Sequence, residues 1–217
     1  MKSRWMLPAV AMTMAAVAAG CFSRQAYPER EFFGVDPGRP EAETNGAARN
    51  LVLRVQPARV ASPFASQRFS YRTGEHQYES DYYNGFVDPP DRLLTASLAE
   101  WLSASGVCRA VIDGDSAARD DVELETNVVE LYGDYRQPSR PRAVVAVRVF
   151  LLERQGASSR VLFTRRYDAA VPLPTSPPQD NGPAALADAF GLAWREILTQ
   201  FTANLRQTNL PTQPAEK

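Results

Sequence analysis

Ala143-Val144-Val145-Ala146-Val147-Arg148-Val149-Phe150-Leu151-Leu152-Glu153 is the stretch that decides the fold class. Val145, Val147, Val149 and Leu151 share one face at a period of two, while Ala146 and Phe150 stand on the other. Apolar and β-branched residues on both faces mark an interior strand, covered from either side. Its neighbours are the strand-like stretches 122–135 and 160–171. One connection runs from Arg136 to Arg142 with Pro138 and Pro141 inside it, and the other turns around Gly156. Both are short enough to make these three strands antiparallel neighbours.

Further out, Leu51, Leu53 and Val55 alternate with Val52 and Arg54, and Phe69 and Tyr71 alternate with Arg68, Ser70 and Arg72. Each set reads as a strand, with 78–83 as the hairpin partner of the second and 107–112 as one more. Asp88-Pro89-Pro90-Asp91 supplies a helix start, with Asp88 as cap acceptor and Pro89 at the first helical position. Leu94, Leu98, Trp101 and Leu102 follow at helical spacing, and Gly106 is placed to stop the helix. A second helix opens at Pro183, and its Leu186, Phe190, Trp194, Ile197, Phe201 and Leu205 form one wide apolar stripe. The expected fold is therefore α+β, a two-layer domain with a mostly antiparallel sheet and two amphipathic helices packed on one face.

The 217 residues give one sizeable domain, and 44% hydrophobic with 23% charged residues is ordinary for a globular chain. Net charge is −1, and without Lys2 and Arg4 the chain carries 22 basic against 25 acidic residues. That balance argues against nucleic-acid binding, which needs a basic stripe.

Met1 to Arg4 is positively charged, Trp5 to Val17 is apolar, and Ala18-Ala19-Gly20-Cys21 closes the segment. This is the three-part layout of an export signal, and the apolar run is shorter than the roughly 20 residues of a spanning helix. The small residues before Cys21 resemble a bacterial lipobox, with Ala18 where a branched residue is usual. Cys21 is then the acylated first residue of the mature chain, and several acyl chains on it hold where a single chain holds marginally. Phe22, rather than an Asp, follows the cysteine, which in similar lipoproteins goes with outer-membrane delivery. The expected division is a signal peptide at 1–20, lipidated Cys21 and a Pro- and Gly-rich tether over 21–49, the domain at 50–207 and a loose tail at 208–217. Within the tether, Phe32-Phe33-Gly34-Val35 reads as a short strand. Cys108, left without a mate, reads as a small buried strand residue.

Enzyme chemistry is not expected, nor is any cofactor or metal. The single histidine, His76, sits between Glu75 and Gln77 without partners for a zinc site or a Ser-His-Asp triad. Gly34, Gly38 and Gly46 introduce no strand-to-helix phosphate loop. Asp81, Asp88 and Asp91 fall in one segment, so a carboxylate pair serving a hydrolase is the remaining catalytic reading.

Phe69-Ser70-Tyr71-Arg72, then Asp81-Tyr82-Tyr83-Asn84-Gly85-Phe86-Val87-Asp88-Pro89-Pro90, Leu93-Leu94, Leu98, Leu102 and Ser105-Gly106 form an ordered set. Behind a lipobox, this set resembles the ABC-type transport auxiliary lipoprotein family, which includes the PqiC proteins. The likeness runs from about Phe32 to the final helix, and Phe86 stands where many relatives carry tryptophan. It implies an outer-membrane, periplasm-facing lipoprotein that docks or caps the conduit of an MCE-type lipid transport system, powered by an inner-membrane permease and ATPase. An MCE-domain protein is the implied partner, and homo-oligomer formation stays open. Tyr82, Tyr83, Phe86, Val87, Pro89 and Pro90 have the composition of a rigid loop presented to a partner. The same side chains would equally fill the core beneath the first helix. The alternative function is an envelope-assembly lipoprotein supporting an outer-membrane barrel.

Overall fold

The computed structural model describes residues 29–41, 48–155, 158–174 and 182–208. Cys21, the export segment and the tail after 208 lie outside the described residues. The strands are β1 (Glu31–Phe33), β2 (Arg49–Val55), β3 (Arg59–Val60), β4 (Arg68–Arg72) and β5 (Tyr78–Phe86). Helix α1 (Pro90–Ala104) follows, then β6 (Cys108–Asp113), β7 (Val122–Asp134), β8 (Arg142–Gln155), β9 (Ser158–Pro172) and helix α2 (Gly182–Gln207).

The fold is α+β, as expected, but the sheet is mixed rather than mostly antiparallel. Strands joined by short connections pair antiparallel: β4 with β5, β7 with β8, and β8 with β9. Those joined by long connections pair parallel, because a parallel pair needs a crossover of a dozen or more residues. β2, β3 and β4 lie one after another along a single side of β7, with Leu53 opposite Val122, Val60 opposite Val128 and Tyr71 opposite Gly133. They act as one interrupted strand, broken where Pro57 and Pro63 remove backbone donors. β8 covers the other side of β7. The chain then extends outward from β4 through β5 to β1, and from β2 to β6, at opposite ends.

Helix α1 begins one residue later than the sequence suggests. Pro89 is the N-cap, at φ −50° and ψ 138°, and Pro90 holds the first helical position. A residue that precedes proline is pushed out of the helical region, so Pro89 cannot be helical before Pro90. No side-chain hydrogen bond caps this end, and the cap role expected of Asp88 is not filled. The far end stops at Gly106, as expected, with φ +62°.

All six stripe residues of α2, Leu186, Phe190, Trp194, Ile197, Phe201 and Leu205, are buried. The helix packs on β8 and β9, and α1 packs on β6. The helices also bond to each other: Trp194 Nε1 donates to Ser97 Oγ at 2.8 Å, and Trp101 Nε1 donates to Thr202 Oγ1 at 3.1 Å. Each indole N–H is thus satisfied in the core, where an unpaired one would cost about 1–3 kcal/mol.

Two segments behave differently from their sequence patterns. Arg54 alternates with apolar residues as a solvent-facing residue would, yet it is 7% exposed. Its guanidinium turns inward, where Nε donates to Asp120 Oδ1 at 2.9 Å and Nη1 to the carbonyls of Asp113, Gly114 and Ser116 at 3.1, 3.2 and 2.8 Å. Nη2 donates to the Ala118 carbonyl. The stretch after β1, inside the expected tether, packs on the domain. Val35 and Pro37 are buried, and a Cβ on Gly191 would sit 2.4 Å from the Asp36 carbonyl oxygen, so only glycine lets this strap cross α2. Arg195 Nε holds the Pro37 carbonyl from the same helix.

Candidate functional site

β5 and its exit into α1 carry the residues singled out in the sequence, and a carboxylate shapes the strand there. Asp81 Oδ1 accepts from the backbone N–H of Tyr83 at 2.8 Å and of Asn84 at 3.0 Å. Its Oδ2 accepts from the Tyr71 hydroxyl at 2.6 Å and from Asn84 Nδ2 at 3.0 Å. Burial pushes the Asp81 carboxyl up, but these hydrogen bonds outweigh it and hold the group below its ordinary value. Burial, and then the bond to Asp81, push the Tyr71 hydroxyl far up. A carboxylate with both oxygens engaged in this way is a shaping element for the strand, and Asp81 is spent on that role. Asp91 lies in the first turn of α1, where an acidic side chain complements the helix dipole.

Gly85 lets β4 and β5 close up at this point. A Cβ there would lie 2.3 Å from the Gln67 carbonyl oxygen, which accepts the Phe86 N–H at 2.6 Å. With the backbone fixed, Phe86 turns into the core, its ring edge-on to Phe69 at 4.8 Å and tilted against Phe190 at 5.7 Å. Val87 turns out, its N–H held by the Phe33 carbonyl at 2.8 Å and its side chain 60% exposed.

The six candidates therefore divide. Tyr82, Tyr83 and Val87 are exposed, Pro89 is half-buried, and Phe86 and Pro90 are buried. Phe86 and Pro90 fill the core, as one of the two readings has it, while Tyr82, Tyr83 and Val87 stay at the surface. β1 adds a residue the sequence reading left out: Phe32 sits opposite Gly85 in the parallel β1–β5 pair and is 56% exposed. Its pairing partner could not be read from sequence, because three residues carry no register signal of their own.

Around Tyr82 the surface becomes cationic. The Arg30 guanidinium carbon stands 4.8 Å above the Tyr82 ring centroid, and that of Arg68 stands 5.4 Å from it. The Tyr83 ring packs against Tyr82 at 5.1 Å. Arg30, Phe32, Gln67, Arg68, Tyr82 and Tyr83 border a cavity of about 290 Å³.

Elsewhere, the residues set aside in the sequence take ordinary places. His76 is exposed in the β4–β5 connection. Cys108 is a free, buried cysteine whose thiol burial pushes up to about 11, so it is a poor nucleophile. The connection from Arg136 to Arg142 is drawn together by Asp134, whose Oδ2 takes Arg136 Nη2 at 2.8 Å and Arg142 Nη2 at 3.1 Å. The hydrogen bonds from Arg136 hold its carboxyl far below the usual range. Among the described residues no group of three or more His, Cys, Asp or Glu could hold a metal ion, and no helix is long and apolar enough to cross a membrane.

The arrangement is an α+β domain with the exposed Phe32, Tyr82, Tyr83 and Val87 gathered where β1 and β5 meet. This chain belongs to the family of ABC-type transport auxiliary lipoprotein components, whose family model matches residues 35–201. Its fold is similar to that of a Xanthomonas campestris protein of the DUF330 family, with a TM-score of 0.67, 22% identity, and coverage of 78% of this chain and 92% of that one. A hypothetical protein from Chlamydia trachomatis shares the fold at a TM-score of 0.51 and 11% identity, over 74% of this chain and 98% of that one. No curated protein matches.

Proposed function

We propose that the chain is a non-enzymatic outer-membrane lipoprotein, held in the periplasm-facing leaflet by acylated Cys21, that docks or caps the conduit of an MCE-type, ABC-powered lipid transporter. The observation that carries this reading is the family match over most of the mature chain, standing behind a lipobox-like Ala18-Ala19-Gly20-Cys21. The surface at Tyr82, Tyr83 and Val87 supports it. Aromatic residues presented on a fixed backbone lose little entropy on binding, which suits a docking contact. The buried Phe86 and Pro90 hold that surface in place from beneath.

Affinity capture of the acylated full chain from mild-detergent extracts tests the reading. Recovery of an MCE-domain protein, with the acyl mass on Cys21, is the expected result. Recovery of outer-membrane barrel proteins without any MCE-domain protein would favour an envelope-assembly role and overturn it.

A further inference from the structure

We infer that the Arg30–Phe32–Arg68–Tyr82 part of this edge seats on the phosphate headgroups of the bilayer in which Cys21 is anchored, leaving the Val87 side free for a protein partner. The inference rests on the lipid-anchor reading above and adds an orientation to it.

Its first support is chemical. Arg30 and Arg68 both stand over the Tyr82 ring, and among the described residues neither takes part in an ion pair. Several arginines at other strand ends are committed to carboxylates: Arg136 and Arg142 to Asp134, and Arg160 to Glu153. Two uncommitted guanidinium groups beside an exposed phenol and an exposed Phe32 reproduce the composition that settles at a headgroup boundary, with rings in the interfacial layer and cations on phosphate oxygens. Among the described residues neither Glu29 nor Glu31 is ion-paired with them.

The second support is covalent reach. Arg30 is nine residues after Cys21, so its backbone stands at most about 30 Å of extended chain from the acylated thiol. β1 is also the outermost strand on its side of the sheet. The tether therefore joins the domain beside the patch, which keeps this edge within about 30 Å of the anchor.

The test uses the full acylated chain in vesicles of phosphatidylethanolamine and phosphatidylglycerol containing a nitroxide-headgroup lipid. An environment-sensitive fluorophore is placed through Ser66→Cys, which borders the cavity, or through Leu192→Cys, exposed on α2. Cys108 is buried and Cys21 acylated, so the new thiol takes the label. The expected result is strong quenching at position 66 and little at 192. Replacing Arg30→Gln with Arg68→Gln should weaken the seated state about 30-fold, roughly fivefold per charge. In the chain with both arginines intact, high salt should lower the quenching at 66. Equal quenching at both positions would overturn the inference while leaving the anchor intact, as would shielding of position 66 only when an MCE-domain protein is added. A chain that does not float with the vesicles would overturn the anchor and the inference together.

Discussion

Arg54 on β2 and Arg68 on β4 occupy nearly the same sequence setting, an arginine among alternating apolar strand residues, and meet opposite fates. Around Arg54 the 113–120 loop aims four carbonyls and one carboxylate at the guanidinium, and the charge is consumed inside the fold. Around Arg68 no ion pair forms among the described residues, and the guanidinium stands over a tyrosine ring that a second arginine also covers. One end of the sheet is closed by its cation and the other is left with cations to offer. The difference is set by what the neighbouring connection presents, a long loop at β6 and a three-residue strand at β5, and not by the strand that carries the arginine.

The closed end is where the largest effect is expected. Arg54→Met should lower stability by about 3–5 kcal/mol, because Asp120 and the loop carbonyls are left buried without their partner. Urea unfolding would read it, and a loss under 1 kcal/mol would mean the loop finds water instead.

Gly85→Ala strikes the open end through its backbone. The added Cβ meets the Gln67 carbonyl, and a forced shift of this kind costs about 1–3 kcal/mol. The fluorescence of a reporter on Val87→Cys should change with it, whereas Gly182→Ala, with open space around it, should leave that reporter alone.

A smaller effect separates paired from unpaired charge by pH. The folded Asp134 carboxyl titrates far below its ordinary value of 3.8. Its contribution is therefore complete above the unfolded value and disappears as pH falls toward the folded one. Stability of the native chain should decline on acidification below about pH 4. Asp134→Asn should start lower at neutral pH and decline less steeply, as urea midpoints across that range would register.

Much of this architecture is legible in the residues. The two-residue period found β2, β4 and β8, the strand-like stretches beside them supplied β5, β6, β7 and β9, and the helical stripe of α2 is buried residue for residue. Pairings between strands joined by hairpins were equally plain. What escaped were the parallel pairings, because β2 and β7 are brought together by a crossover that no local pattern encodes. The strap over α2 escaped for a related reason. Pro37 and Gly38 read as tether, and only Gly191 on the helix surface hints that a backbone must pass. Along β5 and its exit, alternation could not say which aromatic residues face out, since Asp81 reshapes the strand and Gly85 lets Gln67 close in. Phe86 and Val87 are neighbours in the same motif, and the backbone bonds to Gln67 and Phe33 send one inward and the other outward.

In-cell photocrosslinking from Val87 tests the central claim most directly, with the buried Phe86 and the α2 residue Leu192 as references. A transport-docking lipoprotein should yield an adduct to an MCE-domain protein from position 87 and none from 86 or 192. Adducts from Val87 to an outer-membrane barrel alone, or equal adducts from 87 and 192, would contradict it.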